Sequence, residues 1–211
     1  MKPITWVKIA VFLLSIAPLG LLGWWAYQGD VTANPIEFIT HKTGICTLVF
    51  LLLTLSVTPL RKLSGQLWLI QLRRMLGLFA FFYGCLHLST YVVLDHFFDW
   101  DRIVADVYKR PFITAGFTGF LLMVPLALTS TNGMIRRLGG RRWQNLHRLV
   151  YASAIAGVVH FLWLVKADIL EPAIYGAILA LLLGYRVVSW MLPRLKARQE
   201  AAPQMDAGRA Q

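Results

Sequence analysis

The stretch "MLGLFAFFYGCLHLSTYVVL", residues 75–94, decides how the whole chain reads. It holds no Asp, Glu, Lys or Arg, and one histidine, His87, lies thirteen residues in. At 1.5 Å rise per residue, about twenty residues cross the hydrocarbon core of a bilayer. An ionisable side chain at such a depth is costly and calls for a partner or a function.

Working outward, five more apolar runs follow the same pattern: roughly Trp6–Tyr27, Thr43–Leu60, Phe112–Leu128, Leu149–Val165 and Ala173–Trp190. The 211 residues are 57% hydrophobic yet carry a formal charge of +11, with the charges gathered between the apolar runs. Six runs that are apolar all round predict an all-α, polytopic membrane bundle of six transmembrane helices over 1–193, followed by a short, polar, disordered tail at 194–211. The first run is longer than a signal core and no A-x-A pattern follows it, so it reads as a retained helix. Cys46 and Cys85 both fall inside runs, as small buried residues rather than a disulfide. Pro18 and Pro125 fall within runs and are expected to kink them.

The loops sort by charge. Lys2 and Lys8, the 61–74 and 129–148 loops and the C-terminal tail hold 16 of the 21 basic residues, while eight of the ten acids lie on the opposite side. The Lys/Arg bias predicts that both termini are cytoplasmic. It also explains the net charge as topology and contact with membrane lipids, and no nucleic-acid partner is expected.

Of the five histidines, His41 and His96 fall at span edges or in outer loops, where a solvated or capping role is expected. His87 and His160 lie at matching depth on two spans that run the same way. Two neutral imidazoles so placed can bind one iron along an axis, inside the apolar sleeve that a haem needs. Counting back fourteen residues from His87 reaches Arg73, on the same helix face about 21 Å away. Counting back thirteen from His160 reaches His147, about 140° out of phase on a straight helix, so a bend or bulge is required and Gly157 is the expected weak point. His147 would then face Arg73 and Arg74. Arginine stays protonated, so these two suit a propionate or phosphate better than iron.

The segments "NPIEFITHKTG", "TPLRKL", "RRMLGLFAFFYGCLHLSTY", "RPFITAGF", "LALTSTNGMIRRLGGRRWQNLHRLVY" and "HFLW" occur in that order. In them the chain resembles the ferric reductase-like transmembrane superfamily and, within it, the MsrQ (YedZ) family. The resemblance implies b-type haem and an association with FMN. It implies electrons taken from the quinone pool or a cytoplasmic flavin reductase. It also implies their delivery across the bacterial inner membrane to a periplasmic MsrP-like molybdoenzyme that reduces methionine sulfoxide, so that the substrate-reducing site lies on the partner. His87, His147 and His160 match the family's haem histidines, whereas Arg73 stands where the oxidases of the superfamily have a fourth. Two other readings stay open on the residues alone: a quinol-oxidising cytochrome b subunit of a different oxidoreductase, and a small proton-coupled transporter.

Overall fold

The computed structural model describes residues 3–29, 33–165 and 167–209, with side chains described for 4–29, 33–165 and 167–192. Lys2, Asp30 and the charged side chains of the tail lie outside the described residues.

Among the described residues, nine α-helices form the chain: α1 (Pro3–Gln28), α2 (Pro35–Ser64), α3 (Ile70–Ser89), α4 (Trp100–Lys109), α5 (Pro111–Leu128), α6 (Asn132–Leu138), α7 (Gly140–Leu146), α8 (Leu149–Leu164) and α9 (Leu170–Arg209). Six segments of the described residues are long and apolar enough to cross a membrane: Ile4–Gln28, Pro35–Ser64, Leu67–Asp95, Pro111–Leu128, Gly140–Leu164 and Leu170–Leu192. The chain is a multi-pass, all-α membrane bundle. The backbone of α9 continues as helix to Arg209, through most of the segment read from sequence as a disordered tail.

Local chemistry sets the ends. The Asn34 side chain caps α2 by accepting from the Glu37 amide at 3.3 Å, and Pro35 fills the first turn, where its missing N–H costs nothing. This cap starts α2 eight residues before the apolar run at Thr43, because Glu37, His41 and Lys42 lower the hydropathy without breaking the helix. At the other end Gly65 takes φ 70°, the left-handed closure that glycine adopts freely. Lys8 donates to Gln71 Oε1 at 2.8 Å, which puts the start of α1 beside the start of α3 at the bundle's basic end.

Packing is densest within two helix pairs, α2 with α3 and α5 with α8. In lipid the drive for such pairing is close packing and interhelical hydrogen bonding, which favours small residues at the seam. A Cβ added to Gly119 of α5 would lie 3.3 Å from Ala156 Cβ, and Ser153 of α8 donates to the Gly119 carbonyl at 2.8 Å. Phe50 of α2 stacks on Tyr83 of α3, centroids 5.4 Å apart and planes within 7°. The Tyr83 hydroxyl reaches out to the Ser15 carbonyl at 2.7 Å, tying the otherwise exposed α1 to the core.

Two details depart from the sequence reading. The fifth span does not bulge at Gly157, which packs on Leu48 within continuous helix. The break lies at His147–Arg148, where α7 ends and α8 begins. At the acidic end, α3 widens into a π-turn over Thr90–Asp95, and Phe97 and Phe98 follow with φ of 47° and 62°. This reversal turns His96 inward, so it is 7% exposed rather than solvated. Its Nε2 lies 3.2 Å from Asp106 of α4, a carboxylate also paired with Arg110 at 3.3 Å. His41 stays at the span edge, on the first turns of α2, edge-on to Phe161 at 5.5 Å. Cys46 and Cys85 are free thiols, as expected.

Candidate functional site

The two helix pairs repeat one local device. On α3, His87 donates Nδ1–H to the Thr40 carbonyl of α2 at 2.9 Å. One turn further along α2 is Gly44, where an added Cβ would sit 3.0 Å from His87 Cε1. On α8, His160 donates Nδ1–H to the Phe112 carbonyl of α5 at 2.6 Å. One turn further along α5 is Gly116, where a Cβ would sit 2.7 Å from His160 Nδ1. In each pair a carbonyl at position i holds the imidazole and a glycine at i+4 makes room for it.

The chemistry follows from the partners. A carbonyl oxygen only accepts, so both Nδ1 atoms carry the proton and both Nε2 atoms keep a lone pair. A fixed Nδ1–H donor with a free Nε2 is how proteins orient and tune a metal-binding imidazole. The His87 and His160 ring centroids are 6.0 Å apart, with planes 73° to each other. Two imidazoles sharing one metal place their centroids about 6 Å apart, given metal–nitrogen bonds of about 2 Å and about 1.1 Å from nitrogen to ring centre. The donor set and the spacing fit haem iron. The Thr40 hydroxyl, beside the His87 anchor, is buried without a partner.

The basic end is built differently. Arg73, Arg74, Trp143 and His147 border one cavity of about 350 Å³. The structure therefore brings together the arginines and the third histidine read from sequence. However, Thr129 donates its hydroxyl proton to the Pro125 carbonyl at 2.6 Å and so accepts from His147 Nε2 at 3.1 Å. Trp143 stacks on the His147 ring, with centroids 3.8 Å apart, and bonds the Thr129 carbonyl through Nε1 at 2.9 Å. His147 is thus clamped with Nε2 engaged, and only its Nδ1 keeps a lone pair. Arg74 bonds the Asn132 side chain of α6. Among the described residues the end offers one imidazole and cationic groups, and these do not form a second axial pair.

Residues 43–158 match the family described as ferric reductase like transmembrane component. The protein-methionine-sulfoxide reductase heme-binding subunit MsrQ of Azospira oryzae is 60% identical over 183 residues, 86% of this chain and 78% of that protein. The subunit of the same name from Herminiimonas arsenicoxydans is 54% identical over 186 residues, 87% of this chain and 85% of its own. That from Rhodospirillum rubrum is 52% identical over 191 residues, covering 90% and 92%.

The chain belongs to the MsrQ family.

The matched ferric reductase segment includes Gly44, Arg73, His87, Gly116 and His147 and stops two residues before His160. Sequence reasoning singled out His87 and His160, whose rings the structure brings together in this MsrQ-family chain, but not the residues packed around them, Thr40, Gly44, Phe112 and Gly116. A signal was available: both glycines sit inside the motif-bearing segments "NPIEFITHKTG" and "RPFITAGF", in helices where glycine needs a packing reason.

Proposed function

We propose that this chain is the haem-carrying membrane subunit of a methionine sulfoxide reductase system, moving electrons through the membrane to a partner that holds the substrate-reducing site. The observation that carries the reading is the His87–His160 pair, with both Nδ1 atoms bound to carbonyls and the centroids 6.0 Å apart. The names of its relatives supply the system. Haem bound there supplies a one-electron iron couple. The chain's residues hold the axial imidazoles neutral and aimed, and the helix pairs keep the seat apolar.

The finer reading is a b-type haem, a multi-pass position in the bacterial inner membrane and both termini in the cytoplasm, as the Lys/Arg bias favours. The His87–His160 seat lies near the acidic ends of its helices, which that orientation turns toward the periplasm, where an MsrP-like molybdoenzyme would accept electrons. The quinone pool or a cytoplasmic flavin reductase would supply them. His147 is the single imidazole that a further haem at the basic end could use, with Arg73 and Arg74 on its propionates. FMN stays outside this proposal, because nothing in the described geometry selects residues for it.

The test is visible and electron paramagnetic resonance spectroscopy of the full chain purified in detergent. A six-coordinate low-spin haem signal is expected in the natural sequence and lost in both His87→Ala and His160→Ala. Persistence of that signal in either variant would overturn the axial assignment.

A further inference from the structure

Between the span that ends at Asp95 and the span that begins at Pro111 lies α4, ten residues long. At about 15 Å it is too short to cross a bilayer. Ile103 and Asp106 are buried on its inner side, where Asp106 holds His96, just past the end of the third span, at 3.2 Å. Thr114, in the first turn of α5, donates to the Val107 carbonyl. Contacts along its middle and C-terminal half thus hold α4 across the acidic end of the bundle, so that it does not project from it.

The two outer flanks of α4 differ. Trp100, Val104 and Tyr108 recur every four residues and fall within about 80° of one another on one flank. Asp101, Arg102 and Lys109 occupy the other and are exposed. Phe98, just before the helix, lies against Trp100 with ring centroids 6.4 Å apart. Phe97, Phe98, Trp100, Val104 and Tyr108 are between 54% and 85% exposed. Phe97 and Phe98 also hold positive φ, which bulky residues rarely adopt, yet neither is buried in return. Apolar side chains gathered at such exposure mark an interaction surface.

The position of this surface indicates its partner. Both ends of the 96–110 segment are tied to membrane spans, and Arg110 joins α4 directly to Pro111. A helix held across the end of a membrane bundle turns its flanks along the bilayer surface. Aromatic residues settle at the headgroup boundary, and a helix with one apolar and one charged flank is the form that lies there. The exposed carboxylates of Asp95 and Asp99 border the aromatic residues, and they repel anionic headgroups. Burial of apolar surface, not charge attraction, therefore drives the contact.

We propose that α4 and the Phe97–Phe98 turn form a membrane-surface strap, with Trp100, Val104 and Tyr108 seated in the lipid headgroup region at the acidic end and Asp101 and Lys109 in water. The strap links α3, which bears His87, to α5, whose Phe112 and Gly116 hold His160, and so ties both helix ends to the bilayer surface. It does not depend on the chain carrying haem.

Photo-crosslinking of the full chain tests the strap, in phosphatidylcholine nanodiscs and in native membranes. p-Benzoylphenylalanine is placed at Val104 or Tyr108 on the apolar flank, and at Asp101 or Lys109 on the charged flank. Peptide mass spectrometry then identifies what each probe captures. Lipid adducts are expected to be several-fold more abundant at Val104 and Tyr108 than at Asp101 and Lys109. Their yield should stay the same when phosphatidylglycerol is added to the nanodiscs. All four side chains are exposed, so the probe displaces no packed group. Phe97, where the probe keeps an aromatic ring, replaces any apolar-flank variant that is not monodisperse. Equal lipid adducts on the two flanks, or adducts that appear only with phosphatidylglycerol, overturn the strap. So does capture of another protein, or of a second copy of this chain, in place of lipid at Val104 and Tyr108 in native membranes.

Discussion

Replacing Gly116 with alanine tests whether the glycine at i+4 is part of the site or only part of a helix. The added Cβ would lie 2.7 Å from His160 Nδ1 and 3.0 Å from Cγ and Cε1, where ordinary contact begins at 3.4 Å. The ring must therefore retreat by about 0.7 Å, enough to stretch its 2.6 Å bond to Phe112 toward the limit of hydrogen bonding. Overpacking of this kind costs about 1–3 kcal/mol and the weakened bond adds about 1 kcal/mol. A site constellation tolerates misplacement of only about 0.5 Å. The opposing effect has the opposite sign, since alanine in place of a mid-helix glycine favours the helix by about 1 kcal/mol. A merely helical Gly116 thus predicts a slightly more stable protein with an unchanged spectrum. A cradling Gly116 predicts loss of the low-spin haem signal or its conversion to high spin. Gly184→Ala is the matched control, because nothing lies within 4 Å of its added Cβ. Visible and electron paramagnetic resonance spectra of the three proteins decide, and a natural-type low-spin signal in Gly116→Ala refutes the reasoning.

Gly44→Ala should act in the same direction but more gently, since its Cβ would meet His87 at 3.0 Å and needs a shift of only about 0.4 Å; a spectrum more disturbed than that of Gly116→Ala would contradict the geometry. Asp106→Ala leaves His96 and Tyr91 without their shared acceptor and is expected to lower stability by about 1–3 kcal/mol, read by thermal unfolding, while the haem spectrum stays unchanged. Ser153→Ala removes the bond to the Gly119 carbonyl between α8 and α5, and unfolding in detergent should show a loss of about 0.6–1.7 kcal/mol.

The spans were legible because hydropathy over about twenty residues depends on composition alone. The His87–His160 pairing was legible for a related reason: depth can be counted along a helix, and two histidines at equal depth on parallel spans can meet. What could not be read was the neighbour of each helix. Thr40 and Phe112 serve through their carbonyls, which every residue has, so nothing in their side chains marks them. His96 looked like a solvated loop residue, because no sequence rule places two bulky phenylalanines at positive φ; the reversal that buries His96 depends on them. The helix break was assigned to Gly157, since glycine weakens helices. The structure breaks at His147 instead, where the Trp143 stack and the Thr129 bond hold the ring outside a continuous ladder.

The same geometry separates electron transfer from proton transfer. A proton relay through His87 and His160 would need each imidazole to pass its Nδ1 proton to a neighbour that can release it in turn. Here each Nδ1–H ends on a backbone carbonyl, which accepts but does not hand a proton on. The free Nε2 atoms are left on rings that face each other across the meeting of two separately packed helix pairs, α2–α3 and α5–α8. Each pair fixes its own imidazole internally, so only the seam between the pairs sets the 6.0 Å separation. A group bound by both Nε2 atoms would therefore join the halves as well as carry electrons, and its binding energy would add to the stability of the bundle.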